Sequence, residues 1–156
     1  MIYVFDTSAF IVLKHFYPRT FRSLWAGLDQ LVASGDLVSV REVFNELNAY
    51  NDVDFIQDWA KQRRHIFANP SNDELLFVQQ ILAIPHFQAL IGAKALLKGT
   101  PVADPFVIAA AQVRQGAVVT QEQLKPNAAK IPNVCQHFGI PCHDLEEFMT
   151  QQGWSF

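Results

Sequence analysis

The chain has 156 residues, half of them hydrophobic and only 17% charged, against about 25% in an average soluble globular protein. This composition excludes intrinsic disorder, collagen-like and coiled-coil classes, and it fits a single domain spanning residues 1–156 with a sizeable core. The formal net charge of −3 gives no overall basic field that would advertise nucleic acid as a partner. Two cysteines, Cys135 and Cys142, are too few for the disulfide frameworks of small secreted domains. Met1 to Phe5 is apolar, but Asp6 interrupts it and no apolar run reaches the ~18 residues of a spanning helix. The expectation is a cytoplasmic protein with no membrane partner.

In chain order, Ile2 to Phe5 reads as a buried parallel strand that stops at Asp6-Thr7-Ser8, where a helix opens. Phe21, Leu24, Leu28 and Leu31 recur at helical spacing between Pro18 and Gly35, with Gly35 placed to end the helix. Leu37-Val38 is a second strand. Ser39 and Glu42 have the spacing of a capping box, which predicts a helix start carrying Val43, Glu46, Leu47 and Tyr50. Another helix follows over Val53 to Arg64, then a short strand at Ile66-Phe67-Ala68. Ser71 and Glu74 repeat the capping-box spacing before a helix over Asp73 to Ala83, and Pro85 starts a further helix ending near Gly99. Asp104-Pro105 reads as an N-cap acid with proline at the first helical position, followed by a nearly all-apolar helix. Ala117 to Thr120 and Ile140 to Cys142 are strands, and Asp144 with Glu147 caps a last helix. Strands alternating with helices predict a three-layer α/β/α architecture with a largely parallel central sheet, whose chemistry gathers at the carboxyl ends of the strands.

That rule singles out four carboxylates. Asp6 follows the first strand, Glu46 lies on the helix after the second, Glu122 follows Val118-Val119-Thr120, and Asp104 opens the buried helix leading into that strand. Hard divalent cations such as Mg²⁺ or Mn²⁺ take oxygen ligands from several elements, and they stabilise acids that would otherwise repel one another. Each acid also has a structural reading: Asp6 and Asp104 stand where N-caps stand, and Glu46 and Glu122 would pass alone as solvated residues. Glu42 rivals Glu46, one turn away on the same helix face; its place in the capping box favours Glu46 as the site residue.

Val4-Phe5-Asp6-Thr7-Ser8-Ala9, Asn45-Glu46-Leu47, Ala103-Asp104-Pro105-Phe106-Val107-Ile108-Ala109 and Val119-Thr120-Gln121-Glu122 resemble, in order, the signature blocks of PIN-domain nucleases. The resemblance implies a Rossmann-like PIN fold and a Mg²⁺ or Mn²⁺ site that hydrolyses phosphodiester bonds, usually in RNA. It implies Asp6, Glu46, Asp104 and Glu122 as metal ligands and catalytic residues, with Ser8 and Thr120 as hydroxyls beside them that contact substrate. Glu122 stands where the family more often has aspartate, and its extra methylene suits contact with metal through water. Many small stand-alone PIN proteins are toxins of toxin–antitoxin pairs, so the resemblance also implies an antitoxin partner. The alternative is a PIN-fold regulatory module that binds RNA or protein without turnover.

Among basic residues, Lys94 and Lys98, one turn apart upstream of Asp104, are the first candidates to bind substrate, followed by Lys61, Arg63 and Arg64. Cys135, His137, Cys142 and His143 are zinc-ligand types, but their spacing departs from the usual zinc motifs. The 13 phenylalanines and three tryptophans follow apolar periodicity and read mainly as core; some could line a homodimer or partner surface. A cluster of two divalent ions would more than offset the net charge of −3, so a mildly acidic chain can still attract RNA at that one place.

Overall fold

A computed structural model describes residues 1–92 and 102–156. Five parallel strands form its sheet: β1 (Tyr3–Phe5), β2 (Leu37–Val40), β3 (Phe67–Ala68), β4 (Ala117–Val119) and β5 (Cys142–His143), in the order β3-β2-β1-β4-β5. The helices are α1 (Thr7–Val12), α2 (Arg22–Ser34), α3 (Arg41–Asn48), α4 (Asp54–Gln62), α5 (Asn72–Leu82), α6 (Ala103–Arg114), α7 (Ile131–Phe138) and α8 (Leu145–Gln151). Short 3₁₀ turns cover Leu13–His15, Arg64–Ile66 and Pro85–Leu90. This is the expected three-layer α/β/α fold. None of the described helices is long and apolar enough to cross a membrane.

Parallel strands covered on both faces should be continuously apolar, and β1 and β4 are buried at every position. Their register pairs Phe5 with Val119, so Asp6 and Thr120 emerge side by side at the strands' carboxyl ends. The chain builds β1, β2 and β3 outward in one direction, then returns to place β4 on the other side of β1. The order therefore reverses between β1 and β4, where open α/β sheets form a crevice for ligands.

Helix α6 buries residues all round, including Val107, Ile108 and Ala109 to Ala111, as its apolar sequence requires. It ends at Gln115 in the left-handed region (φ 54°) rather than at the expected Gly116. Gly116 serves another need: a Cβ there would lie 2.3 Å from the Ile2 carbonyl oxygen, so only glycine lets β1 and the start of β4 come together.

Several expected boundaries shift. The capping boxes at Ser71–Glu74 and Asp144–Glu147 form as read. The one at Ser39–Glu42 does not, because β2 runs on to Val40 to pair with β3, and the Ser39 hydroxyl donates to the Phe5 carbonyl at 2.7 Å. Inter-strand pairing outweighs a local cap. Helix α3 begins one residue later, at Arg41, with Val40 as its N-cap. The helix expected from Pro85 is a 3₁₀ turn to Leu90, and its predicted continuation, with Lys94 and Lys98, lies outside the described residues. Helix α7 has no counterpart among the predicted elements. Its signals are Pro132 at the second helical position and Gly139 in the left-handed region at its end.

Candidate metal centre

Asp6, Glu46, Asp104 and Glu122 all line one cavity of about 480 Å³ at the reversal point between β1 and β4. Four separate elements deliver them: the end of β1, helix α3, the first turn of α6, and the loop after β4.

Asp6 is buried and fully engaged. Its carboxylate caps α1 by accepting from the Ala9 amide at 2.8 Å, and it accepts from the hydroxyls of Ser8 (2.8 and 2.9 Å) and Thr120 (2.5 Å). Capping and site membership prove compatible, because the α1 N-terminus opens onto the cavity. Burial pushes the Asp6 pKa from 3.8 up to about 6, against the lowering effect of those three donors.

Asp104 is not the N-cap. Val102 holds that place, Asp104 is the second helical residue, and Pro105 the third. The Ala103 amide, at the first helical position, donates to Glu46 Oε1 at 3.4 Å. Glu46 thereby ties α3 to the start of α6, and its Oε2 accepts from Thr7 at 3.4 Å. No group among the described residues donates a hydrogen bond to the Asp104 carboxylate. Burial, followed by the charges of Glu122, Asp6 and Glu46, lifts its pKa from 3.8 to about 8; Lys130 opposes the rise. Burial raises Glu46 as well.

Glu122 Oε2 accepts from the Ile131 amide at 2.9 Å, capping α7, while the Glu122 amide donates to Thr120 Oγ1 at 3.1 Å. Next to it, Gln121 donates its amide to Ser8 Oγ at 3.0 Å and accepts from the Leu145 amide at 2.8 Å, at the start of α8. The loop after β4 is thus fastened to three helices. Thr120, expected to face substrate, is buried and turned onto Asp6; Ser8 does the same from the cavity wall.

Glu42 stays away from the cavity. It pairs with Arg41 at 2.9 Å and keeps Oε2 without a partner among the described residues. Of the two, Glu46 is the one that lines the cavity, although the capping box that had set Glu42 aside does not exist. The sulfur and histidine group is used elsewhere: His137 packs edge-on against Phe87 (5.2 Å), His143 faces Glu147 (3.3 Å), and contact with Cys142, then burial, raises the Cys135 thiol. Arg63 and Arg64 stack on Trp59 (4.6 Å) and Phe44 (3.9 Å). Thr7, Lys14, His15, Tyr50 and Gln121 also line the cavity and were not singled out in the sequence as its residues; only their neighbours in the fold identify them.

Among the described residues, no three Asp, Glu, His or Cys side chains stand close enough to grip one bare ion. The donor set nonetheless suits a hydrated Mg²⁺ or Mn²⁺. Such an ion keeps several waters and needs only one or two direct carboxylates. Asp104, lifted to about pKa 8 by burial and then by neighbouring acids, and without a donor among the described residues, is the carboxylate a cation would relieve most.

The family described as a domain of unknown function (DUF4411) matches residues 3–156. Among solved structures, a chain of VapBC2 from Rickettsia felis, crystallised bound to a DNA fragment from their promoter, resembles this one with a TM-score of 0.52 at 12% identity. The match covers 92% of this chain and 98% of that one, and at this identity it establishes a shared fold. No curated protein matches the chain.

Proposed function

The chain belongs to the DUF4411 family, and from its site we propose that it is a Mg²⁺- or Mn²⁺-dependent ribonuclease. The observation that carries this reading is the convergence of four carboxylates from four elements on one cavity, with Asp104 held near pKa 8 by burial and then by the other three. Like charges gathered in a half-buried cleft repel one another, and a bound cation is one way to offset that repulsion. The sequence blocks around these acids, in PIN-domain order, supply the reaction class.

Asp6, Glu46, Asp104 and Glu122 would hold the ion or ions. When bound, such an ion polarises the phosphodiester and makes water acidic enough to attack phosphorus at neutral pH. The protein's own part is positioning. Ser8, Thr120 and the Ala9 amide fix Asp6 in one orientation, and Glu46 fixes the first turn of α6 and so the place of Asp104. Asp104, with no protein donor among the described residues, is the acid best able to accept a proton as water attacks. Glu122, with one oxygen committed to the Ile131 amide, offers only the other to an ion or its water.

The likeness in fold to a chain of VapBC2 supports the finer reading that the protein is the toxin of a toxin–antitoxin pair and has an antitoxin partner. A second reading, a regulatory module without turnover, draws support from the engaged Glu122 and from the spacing of the acids. Calorimetric titration separates the two. Binding of Mn²⁺ that Asp104→Asn abolishes supports the nuclease; no binding at millimolar Mn²⁺ supports the regulatory module.

A further inference from the structure

The cavity wall continues beyond the acids over Ile11 and Val12 of α1, Lys14 and His15 of the 3₁₀ turn that follows, and Tyr50 just past α3. Tyr50 is 50% exposed at this wall. Tyr17 is more exposed, at 62%, but does not line the cavity. The Tyr50 backbone is tightly held: its amide donates to the Leu47 carbonyl (3.2 Å), and its carbonyl accepts from Gln57 Nε2 (3.0 Å). The same Gln57 amide group donates to the Leu47 carbonyl at 2.8 Å, so α4 fastens the end of α3 at the residue that presents the ring. Lys14 is half-buried and His15 exposed. They bring basic side chains to a cavity whose acidic wall residues are the four carboxylates.

We infer that Tyr50, Lys14 and His15 form a subsite for one unpaired ribonucleotide, its base stacked on the Tyr50 ring and its phosphate against Lys14 and His15. The inference rests on the ribonuclease reading and adds what the site would select. A phosphate entering this cavity meets four acids, and a cation on the same wall offsets their repulsion where the strand enters. An aromatic face open to water gains by stacking a base, but both faces of a base inside a duplex are already covered by its neighbours. Stacking tolerates any base, because every base has a π-face. The subsite therefore selects strandedness, not sequence.

The test is the affinity of a fluorescein-labelled, ten-nucleotide single-stranded RNA, measured by anisotropy in millimolar Ca²⁺ with the strand's integrity confirmed on a gel. Tyr50→Ala should weaken binding about tenfold or more. Tyr50→Phe, which keeps the ring, should stay within about twofold of the parent on the same stacking account. The same RNA annealed to its complement should bind more weakly and be indifferent to Tyr50→Ala. Lys14→Ala should reduce the slope of log affinity against log salt by about 0.7, the value of one phosphate contact on a single strand. Circular dichroism confirms that each variant is folded. Unchanged single-strand affinity in Tyr50→Ala, equal loss in Tyr50→Phe, or preference for the duplex overturns the subsite. Cleavage in Mg²⁺ is scored separately, so loss of the nuclease reading and loss of the subsite are distinct outcomes.

Discussion

Thr120 donates its hydroxyl to Asp6 Oδ2 at 2.5 Å, joining the residue after β4 to the residue after β1 across the point where the strand order reverses. The hydroxyl oxygen, Thr120 Oγ1, also accepts from the Glu122 amide at 3.1 Å, so one hydroxyl positions two of the four acids. Thr120→Val keeps the shape and removes both bonds. A buried hydrogen bond to a carboxylate contributes about 1.5–3 kcal/mol, and denaturant unfolding should register a loss of that order. Without this donor the Asp6 pKa rises further, so calorimetry at pH 6.5 should also find weaker Mn²⁺ binding. Unchanged stability and affinity would remove Thr120 from the site's architecture.

Asp6 and Asp104 are both shifted upward, to about 6 and about 8, from an ordinary value of 3.8. Between about pH 4 and pH 8 the folded metal-free protein thus binds more protons than the unfolded chain, and its stability falls as pH rises through that window. Melting temperatures in EDTA should decline from pH 5 to pH 8, and Asp104→Asn should flatten the decline. Added Mg²⁺ or Mn²⁺ should raise the melting temperature more at pH 8 than at pH 5, because binding requires the ionised acids. A slope of the opposite sign would contradict the shifts.

Glu122 combines a charge near the metal centre with a cap on α7. Glu122→Gln retains an oxygen for the Ile131 amide and removes the charge. Glu122→Ala removes both, and should destabilise the fold by about 1 kcal/mol relative to the Gln variant. Both should lower metal affinity alike. If the Gln variant binds metal as the parent does, Glu122 is a cap alone.

Glu42 and Glu46 stand one turn apart on α3 and differ in surroundings. Glu46→Gln should weaken metal binding and RNA cleavage by about 10–100-fold or more. Glu42→Gln, away from the cavity and paired with Arg41, should change cleavage less than twofold on the same scale. Parallel assays of the two variants check this, and the reverse ranking would relocate the site.

Much of this cavity was legible in the sequence because Asp6, Asp104 and Glu122 stand beside apolar runs that read as buried strands or a buried helix, and Glu46 lies on the helix that follows such a strand. Parallel strands place those residues at one edge of the sheet whatever the details of packing. Local capping patterns were legible where a helix starts freely in a loop, as at Ser71 and Asp144. They failed at Ser39, which β2 keeps for pairing with β3, and at Asp104, where the helix already begins at Ala103 with its first amide bound by Glu46 of another helix. Lys14, His15 and Tyr50 were invisible as cavity residues because nothing in their spacing relates them to the acids; only the folded chain brings them together. Helix α7 was missed although Pro132 and Gly139 mark its ends, since only eight residues separate the flanking loops.

The central claim is that this acid cluster cuts RNA through a bound divalent ion. The most direct measurement is cleavage of a labelled single-stranded RNA by the parent protein and by Asp104→Asn, each in Mg²⁺, in Mn²⁺ and in EDTA. The account predicts cleavage by the parent in either metal, none in EDTA, and a loss on the order of 100-fold or more in Asp104→Asn. Cleavage that persists in EDTA and is unaffected by Asp104→Asn would contradict it.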